Sequence, residues 1–278
     1  GEPVFAKSLK GRFAFRKLIH TALYPNLVQT KYHTPALVHG GPFANIAHGC
    51  NSYLATDLAL RLSDYVVTEA GFGSDLGREK FRDILCPQSS FSPDLVVRVA
   101  SIRALKLHGG VKFDDLEIPN VEARKKGTAN LRKHLQNVSL YHVPYVVAIN
   151  HFGSDSQEEI EALESLLKDK NIPYALNSSY LEGPTGAKDL AKKVLEVLEE
   201  EKSEYTPLVK KNRSIKEKIE TISKNIYGAK NVEYSETAEK EIKDYEKQGY
   251  QDFSVCISKV PTSLSDDATL LNVPKDTT

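Results

Sequence analysis

The feature that most constrains the fold is a series of short, continuous apolar runs separated by longer amphipathic stretches. Continuous apolar runs predict strands that are covered on both faces, whereas alternating runs predict half-exposed strands. The predicted strands are 36–38, 65–67, 95–97, 145–149 and 172–176, with a later one at 253–257. Between them, apolar residues at helical spacing predict helices. These helices are 43–62, 121–138, 156–170, 187–201, 214–227 and 235–248, with Ser154 or Asp155 as the cap of the third. Strand–helix alternation of this kind predicts an α/β fold with a mainly parallel sheet flanked by helices.

Composition excludes several classes of protein. Basic and acidic side chains balance at 37 each, so no net field indicates a nucleic acid or a membrane surface as partner. The excess of basic residues within 1–150 suits an anionic small ligand, and a solvated surface explains it equally well. Cys50, Cys86 and Cys256 are far apart, which argues against a disulfide framework and a structural zinc site and suits a reducing, cytoplasmic setting.

The segment 34–49 runs from a predicted strand through His39 and two glycines into a predicted helix. Ligands of parallel α/β sheets bind at the carboxyl ends of strands, and glycine N–H groups there can face an anion. The alternative is a tight turn with no ligand. His39, at the strand end, is the better candidate for chemistry than His48, and together with His33 they form no convincing metal site.

Two further segments place charges after predicted strands. In 67–77, Glu69 and Asp75 could hold a cation or a metal-bound phosphate, or they could simply cap a helix. In 99–110, Arg103 and Lys106 suit phosphate or carboxylate, and the alternative is ordinary surface ion pairing.

Phe152 and Tyr180 each follow a predicted strand. If those strands are neighbours, the two rings could flank a flat heterocycle. The alternative is that both rings pack on the edge of the core.

Taken together, these segments resemble formate–tetrahydrofolate ligases, also called 10-formyltetrahydrofolate synthetases. The resemblance rests on 25–30, 34–49, 67–77 and 99–110, with weaker matches at 214–219, 226–229 and 263–267. It implies that ATP phosphorylates formate to formyl phosphate, which N10 of tetrahydrofolate then attacks. It also implies Mg-ATP as substrate, a monovalent cation (K⁺ or NH₄⁺), no tightly bound prosthetic group and a homotetramer.

The resemblance also assigns site residues. It implies that Phe152 and Tyr180 line the folate site. It implies that Gly77, Leu176, Ser179 and Tyr180 lie near the nucleotide. We predict catalytic roles for His39, Glu69 and Arg103, and no protein metal ligand. The resemblance further implies a division into the later part of a nucleotide-binding domain (1–149), a smaller α/β domain for folate and adenine (150–261) and a polar tail (262–278).

The sequence departs from the family around the folate site, where Tyr180 replaces the usual Trp, His151 an Arg and Gly153 a Pro. It also contains no Gly-x-x-x-x-Gly-Lys-Ser/Thr loop to hold the β- and γ-phosphates. We therefore expect that this polypeptide alone does not turn over and that its sheet has an exposed strand edge or apolar face. One alternative is a non-catalytic interaction or structural subunit that needs a partner chain bearing that loop. Another, suggested by the absence of Met and Trp, is an imperfect reading of an ordinary ligase.

Overall fold

The structure is a computed structural model that describes residues 4–5, 8–40, 50–71, 73–260 and 262–274 of the chain. Its strands are β1 (Asn26–Gln29), β2 (Pro35–Val38), β3 (Val96–Ala100), β4 (Tyr145–Asn150) and β5 (Tyr174–Asn177). Its α-helices are α1 (Arg12–Ile19), α2 (Tyr53–Leu62), α3 (Arg78–Lys80), α4 (Cys86–Gln88), α5 (Ile102–His108), α6 (Val121–Ser139), α7 (Gln157–Asp169), α8 (Ser179–Glu182), α9 (Lys188–Glu200), α10 (Ile215–Ile222) and α11 (Glu236–Lys247). Two π-helical turns, Gly73–Gly77 and Phe81–Leu85, join α3 and α4 into one helical segment, 73–88.

The main sheet has the strand order β3-β4-β5, and both pairings are parallel. Helices α5 and α6 connect β3 to β4, and α7 connects β4 to β5. The strands β1 and β2 form a separate antiparallel hairpin. The prediction of an α/β fold with a parallel sheet flanked by helices is confirmed. The three-part division of the chain stays a prediction; β5 pairs directly with β4 across the predicted boundary at residue 150.

The main core forms around β4, whose four central residues are all buried. Leu131 and Leu135 of α6 pack in the same cluster as Leu163 and Leu167 of α7. On each helix these leucines are four residues apart, about one helical turn, so they form a stripe that faces the sheet. The continuous apolar run 145–149 is therefore a strand covered on both faces, as the sequence predicts.

Strand β3 differs from this expectation, because its residues alternate between half-buried and exposed. Val97 and Val99 project from the open face, and within the described residues β3 pairs only with β4. The prediction that both faces of β3 are covered is therefore wrong. The open face of β3 is thus apolar at Val97 and Val99.

Two predicted strands, 65–67 and 253–257, are wrong. Both segments are irregular, and Tyr65 and Val67 are largely exposed. In the second segment, lysine side chains take the place of a strand partner, since Lys218 donates to the carbonyl of Phe253 and Lys80 to that of Ile257. β-branched composition alone does not supply a neighbouring strand.

The predicted helices are confirmed to within a few residues, with two corrections. The cap of α7 is Ser156, which forms a capping box with Glu159, and not Ser154 or Asp155. Helix α2 begins at Tyr53, capped by Ser52, and the predicted residues 43–49 lie outside the described residues. Across the described ranges, no helix is both long and apolar enough to cross a bilayer.

Candidate functional site

The carboxyl ends of β4 and β5 are tied together by polar side chains. Each strand ends in an asparagine, and Asn177 Nδ2 donates to Asn150 Oδ1 at 3.3 Å. The backbone N–H of His151 then donates to the carbonyl of Asn177 at 3.0 Å. His151 Nδ1 lies 3.1 Å from the hydroxyl oxygen of Ser178. The loops after the two strands are thus held at one edge of the sheet, where parallel α/β proteins bind ligands.

Phe152 is fixed by a closed turn in the first of these loops. Its N–H donates to Asp155 Oδ2 at 2.9 Å, and the N–H of Asp155 donates back to the carbonyl of Phe152 at 2.9 Å. Burial raises the pKa of Asp155, and its Oδ1 has no hydrogen-bond partner within the described chain. The carboxylate therefore serves mainly to hold the backbone of the aromatic residue.

Arg103 lies against Phe152. It follows β3 in the first turn of α5, whose cap is Ser101. The guanidinium carbon is 5.8 Å from the centre of the Phe152 ring, within the range of a cation–π contact. Its nearest acid is Glu117, at 4.0 Å, so the charge is only weakly neutralised. The structure thus brings together two predicted site residues from different strands, a cation and an aromatic ring.

Tyr180 lies in the short helix α8 that follows β5, and 82% of it is exposed. The helix is anchored rather than loose, since the N–H of Ser178 donates to the carbonyl of Gly186 at 3.0 Å. Ser179 begins α8, and Leu176 packs against the main core from β5. The ring of Tyr180 therefore projects from a fixed base into solvent, at the edge where β4 and β5 end.

His39 follows β2, outside the main sheet, and both of its ring nitrogens are engaged. Nε2 lies 2.7 Å from the carbonyl oxygen of Ala22, which can only accept, so Nε2 carries a proton. Nδ1 lies 2.7 Å from the hydroxyl oxygen of Ser52, the cap of α2. As placed, His39 joins β2 to α2 and the turn before β1. Residues 41–49, which include the second glycine of the pair after His39, lie outside the described residues.

Glu69 is exposed in the irregular chain before Ala70, which forms an isolated bridge with Cys50. Gly77 is buried in the helical segment 73–88, where a Cβ atom would lie 1.9 Å from the carbonyl oxygen of Gly71. Only glycine fits there, because no side chain can be accommodated against backbone at that distance. Packing alone therefore requires glycine at position 77, whether or not a nucleotide lies nearby.

Lys106 and Asp75 are both occupied by internal ion pairs. Lys106 is fully buried, with Nζ 3.2 Å from Glu159 Oε1 and donating to the carbonyl of Ile118 at 3.1 Å. It is therefore neither an exposed ligand contact nor a surface ion pair. The carboxylate of Asp75 pairs with Lys259 at 3.1 Å, so the lysine already supplies its cation.

Sequence reasoning missed the residues that organise the edge. Asn150 and Asn177 each stand at the end of a predicted apolar run, and that repetition was the available signal. The sequence pattern predicts Ser154 or Asp155 as the helix cap, which leaves no separate role for Asp155. The pattern Ser156-x-x-Glu159 is typical of a capping box. It identifies Ser156 as the cap of α7, so Asp155 can have a different role.

A family model described as formate–tetrahydrofolate ligase matches residues 1–278, the whole of the chain.

Proposed function

This chain belongs to the formate–tetrahydrofolate ligase family, and we propose that the edge where β4 and β5 end binds the pterin ring of tetrahydrofolate. The family joins formate to tetrahydrofolate with ATP in one-carbon metabolism. The observation that carries the proposal is the fixed ring of Phe152 beside Arg103, at the same edge as the exposed ring of Tyr180. A flat heterocycle gains buried area and π contact between such rings.

Arg103 is the proposed charge-neutralising residue. Transfer of the γ-phosphoryl group to formate is mainly a matter of positioning and neutralising charge. The Arg103 guanidinium is partly exposed, and its distance of 4.0 Å from Glu117 makes the ion pair a loose one. It can therefore bind an incoming phosphate or carboxylate. N10 of tetrahydrofolate then attacks the formyl carbon, phosphate leaves, and the proton on N10 must be taken up.

The other site residues remain proposals. We propose that His39 takes part in proton transfer, for which one of its ring nitrogens must give up its contact with Ser52 or Ala22. In the contacts that it makes here, His39 orients the chain around β2 and α2. Glu69 is exposed and therefore accessible to substrate. We further propose that Gly77, Leu176 and Ser179 lie near the nucleotide.

Mg²⁺, a monovalent cation and a homotetramer in the cytoplasm belong to the same proposal. Among the residues that the structure describes, no group of three or more His, Cys, Asp or Glu side chains is arranged to hold a metal ion. Asp75, the most buried candidate, is paired with Lys259. We therefore assign no protein ligand to either cation and derive no step through them.

A calorimetric titration with tetrahydrofolate, and then with Mg-ATP, tests the proposed site. Tyr180→Ala should weaken folate binding by roughly tenfold, since aromatic contacts of this kind contribute about 0.5–1.5 kcal/mol beyond buried area. Tyr245→Ala, which removes another exposed tyrosine on α11, is the matched control and should leave the affinity unchanged. No binding to a folded wild-type chain, or equal affinity in both variants, would reject the proposal.

A second candidate is the non-catalytic subunit that completes its sheet with a chain carrying a phosphate-binding loop. It is favoured by the apolar side chains that the hairpin and α1 expose, such as Phe13, Leu18 and Leu27. Large apolar side chains left exposed in this number are typical of a surface that a partner covers. Native mass spectrometry of the chain isolated from its source tests it. A stoichiometric second polypeptide with a Gly-x-x-x-x-Gly-Lys-Ser/Thr loop would support it, and the chain alone or with copies of itself would contradict it.

A further inference from the structure

The helical segment 73–88 buries an unusual number of charged side chains. Arg78, Glu79, Lys80, Arg82 and Asp83 are each at most 5% exposed. A buried charge is costly unless it is paired, so each of these groups requires a partner. Most of them find one: Lys80 donates to a carbonyl, Asp83 accepts from Tyr141, and Arg82 donates to Val138.

Arg78 and Glu79 are exceptions within the described chain, where neither carboxylate oxygen of Glu79 has a hydrogen-bond partner. None of the three guanidinium nitrogens of Arg78 has a hydrogen-bond partner there, although all three are sealed from solvent. Arg98, in the middle of β3, turns its side chain toward the same region, and its Nε is likewise sealed and without a partner among the described residues. The two guanidinium groups are close enough for the charge of Arg98 to lower the pKa of Arg78.

The charges around this pair are mostly positive. Asp75 is the carboxylate that acts on both guanidinium groups, and it is already paired with Lys259 at 3.1 Å. His134 of α6 is buried beside them, and its pKa is lowered by burial and then by Arg98 and Arg78. The charged groups that act on Arg78 are thus Arg82 and Arg98, against the carboxylate of Asp75, and burial raises the pKa of the adjacent Glu79 to about 8, which favours its neutral form.

The hydrogen-bond donors here point to a particular class of ligand. A guanidinium group offers a planar fork of N–H donors that matches the oxygens of phosphate or sulfate. Ser74 lies on the same helical segment as Arg78, and its hydroxyl oxygen is 2.8 Å from His134 Nδ1.

We propose that Arg78 and Arg98 form a buried site for a small tetrahedral oxyanion, beside Ser74 and His134. The site lies between segment 73–88, β3 and α6, whereas the proposed folate site lies beyond the ends of β4 and β5. The inference rests on the three unpartnered nitrogens of Arg78 and the unpartnered Nε of Arg98, and it stands whether or not the proposed function holds. Bound anion would neutralise the excess positive charge and lock segment 73–88 onto the sheet.

Equilibrium dialysis of the full chain with labelled inorganic phosphate tests the site, at an ionic strength held constant with chloride. Wild type should bind one equivalent. Arg98→Met, which keeps an apolar stem and removes the fork, should bind at least tenfold more weakly. Arg213→Met, at an exposed arginine on another surface, should bind like wild type.

Thermal melting of the same proteins provides a second readout. Phosphate should raise the melting midpoint of wild type and Arg213→Met, and leave that of Arg98→Met unchanged, because a ligand that binds only the folded state stabilises it. If Arg98→Met does not fold, Arg78→Lys keeps the charge without the fork and should bind phosphate several-fold more weakly. A folded wild type that binds no phosphate, or binding equally weakened in Arg213→Met, would overturn the proposal.

The source of the oxyanion is distinguished by adding ADP to the dialysis. Displacement of phosphate by ADP would identify a nucleotide phosphate as the occupant of the site. Retention of phosphate at saturating ADP would identify a free anion. Both results keep the site, and the Arg98→Met comparison decides whether it exists.

Discussion

The buried ion pair between Lys106 and Glu159 gives the sharpest prediction about stability. Both side chains are 0% exposed and 3.2 Å apart, and they join α5 to the start of α7. Replacing Lys106 with Met keeps most of the stem and removes the ammonium group. Glu159 would then be a buried carboxylate without its cation.

The magnitude follows from what Glu159 keeps and what it loses. It still accepts from the N–H of Asn120 at 2.7 Å and from the capping residue Ser156. Removing one partner of a buried pair costs about 3–5 kcal/mol, and these remaining bonds place the expected loss near the lower end, about 3 kcal/mol. The lost bond from Lys106 to the carbonyl of Ile118 contributes about 1 kcal/mol of that total.

A double variant separates the charge from the packing. Glu159→Gln in the Lys106→Met background removes the unpaired charge and keeps one acceptor oxygen, which can serve the N–H of either Asn120 or Ser156. The double variant should therefore be more stable than Lys106→Met alone, with a coupling of about 2 kcal/mol between the two sites. Urea unfolding followed by circular dichroism measures each value, provided that the denaturant slope stays constant.

The chain supplies its own control in Arg213 and Glu217. Glu217 closes the same kind of capping box at the start of α10 and pairs with Arg213 at 2.9 Å, but the two side chains are 54% and 51% exposed. Arg213→Met should therefore cost less than about 0.5 kcal/mol. The reasoning would be refuted if Lys106→Met lost less than about 1 kcal/mol of unfolding free energy. It would also be refuted if the loss in the double variant equalled or exceeded the sum of the losses in the two single variants.

Two further predictions concern the helical segment 73–88. Burial, reinforced by the charge of Asp83, raises the pKa of Glu79 from 4.5 to about 8. Between these two pH values the folded state therefore holds a proton that the unfolded state has lost, and the urea midpoint of the wild type should fall as the pH rises from about 4.5 to about 8. Glu79→Gln should flatten this pH dependence and should be more stable than the wild type at pH 8. Wild-type and variant slopes that coincide would contradict this. Gly77→Ala should cost at least about 2 kcal/mol, because its Cβ would lie 1.9 Å from Gly71, whereas Gly153→Ala meets nothing within 4 Å and should cost almost nothing. Equal thermal midpoints for these two alanine variants would show that the contact at Gly71 relaxes freely.

Much of the fold could be predicted from the sequence, because its hydrophobic pattern is strong where the core is. The run 145–149 and the leucine stripes of α6 and α7 are the elements that meet in the main core. The failed strand at 65–67 has a similar composition but lies on the surface. An apolar run signals burial only if another element packs on it, and a single sequence does not show that element.

The buried lysines illustrate a second limit. Lys80, Lys106 and Lys218 are each at most 1% exposed, and each donates from Nζ to a backbone carbonyl distant in sequence. Within helical patterns such residues are typical of a solvated face. Their partners lie in irregular chain, at Ile257, Ile118 and Phe253, and no local pattern pairs them.

For the candidate site, the sequence indicated Phe152, Arg103 and Tyr180 by their positions after strands. Parallel pairing of β3, β4 and β5 brings these positions to one edge, which is why strand-end reasoning works in this fold. The contacts of His39 and the unpaired Arg78 could not be predicted, since both depend on side-chain directions set by tertiary packing.

The most direct test of the central claim is an NMR measurement of contacts between tetrahydrofolate and the phenylalanine rings of the chain. With phenylalanine labelled, the pterin protons should show nuclear Overhauser effects to one ring, and these should vanish in Phe152→Leu while they persist in Phe113→Leu. That result would establish that the edge of β4 and β5 holds the pterin next to Phe152. Bound tetrahydrofolate whose contacts survive in Phe152→Leu would show that the folate site lies elsewhere and would contradict the account.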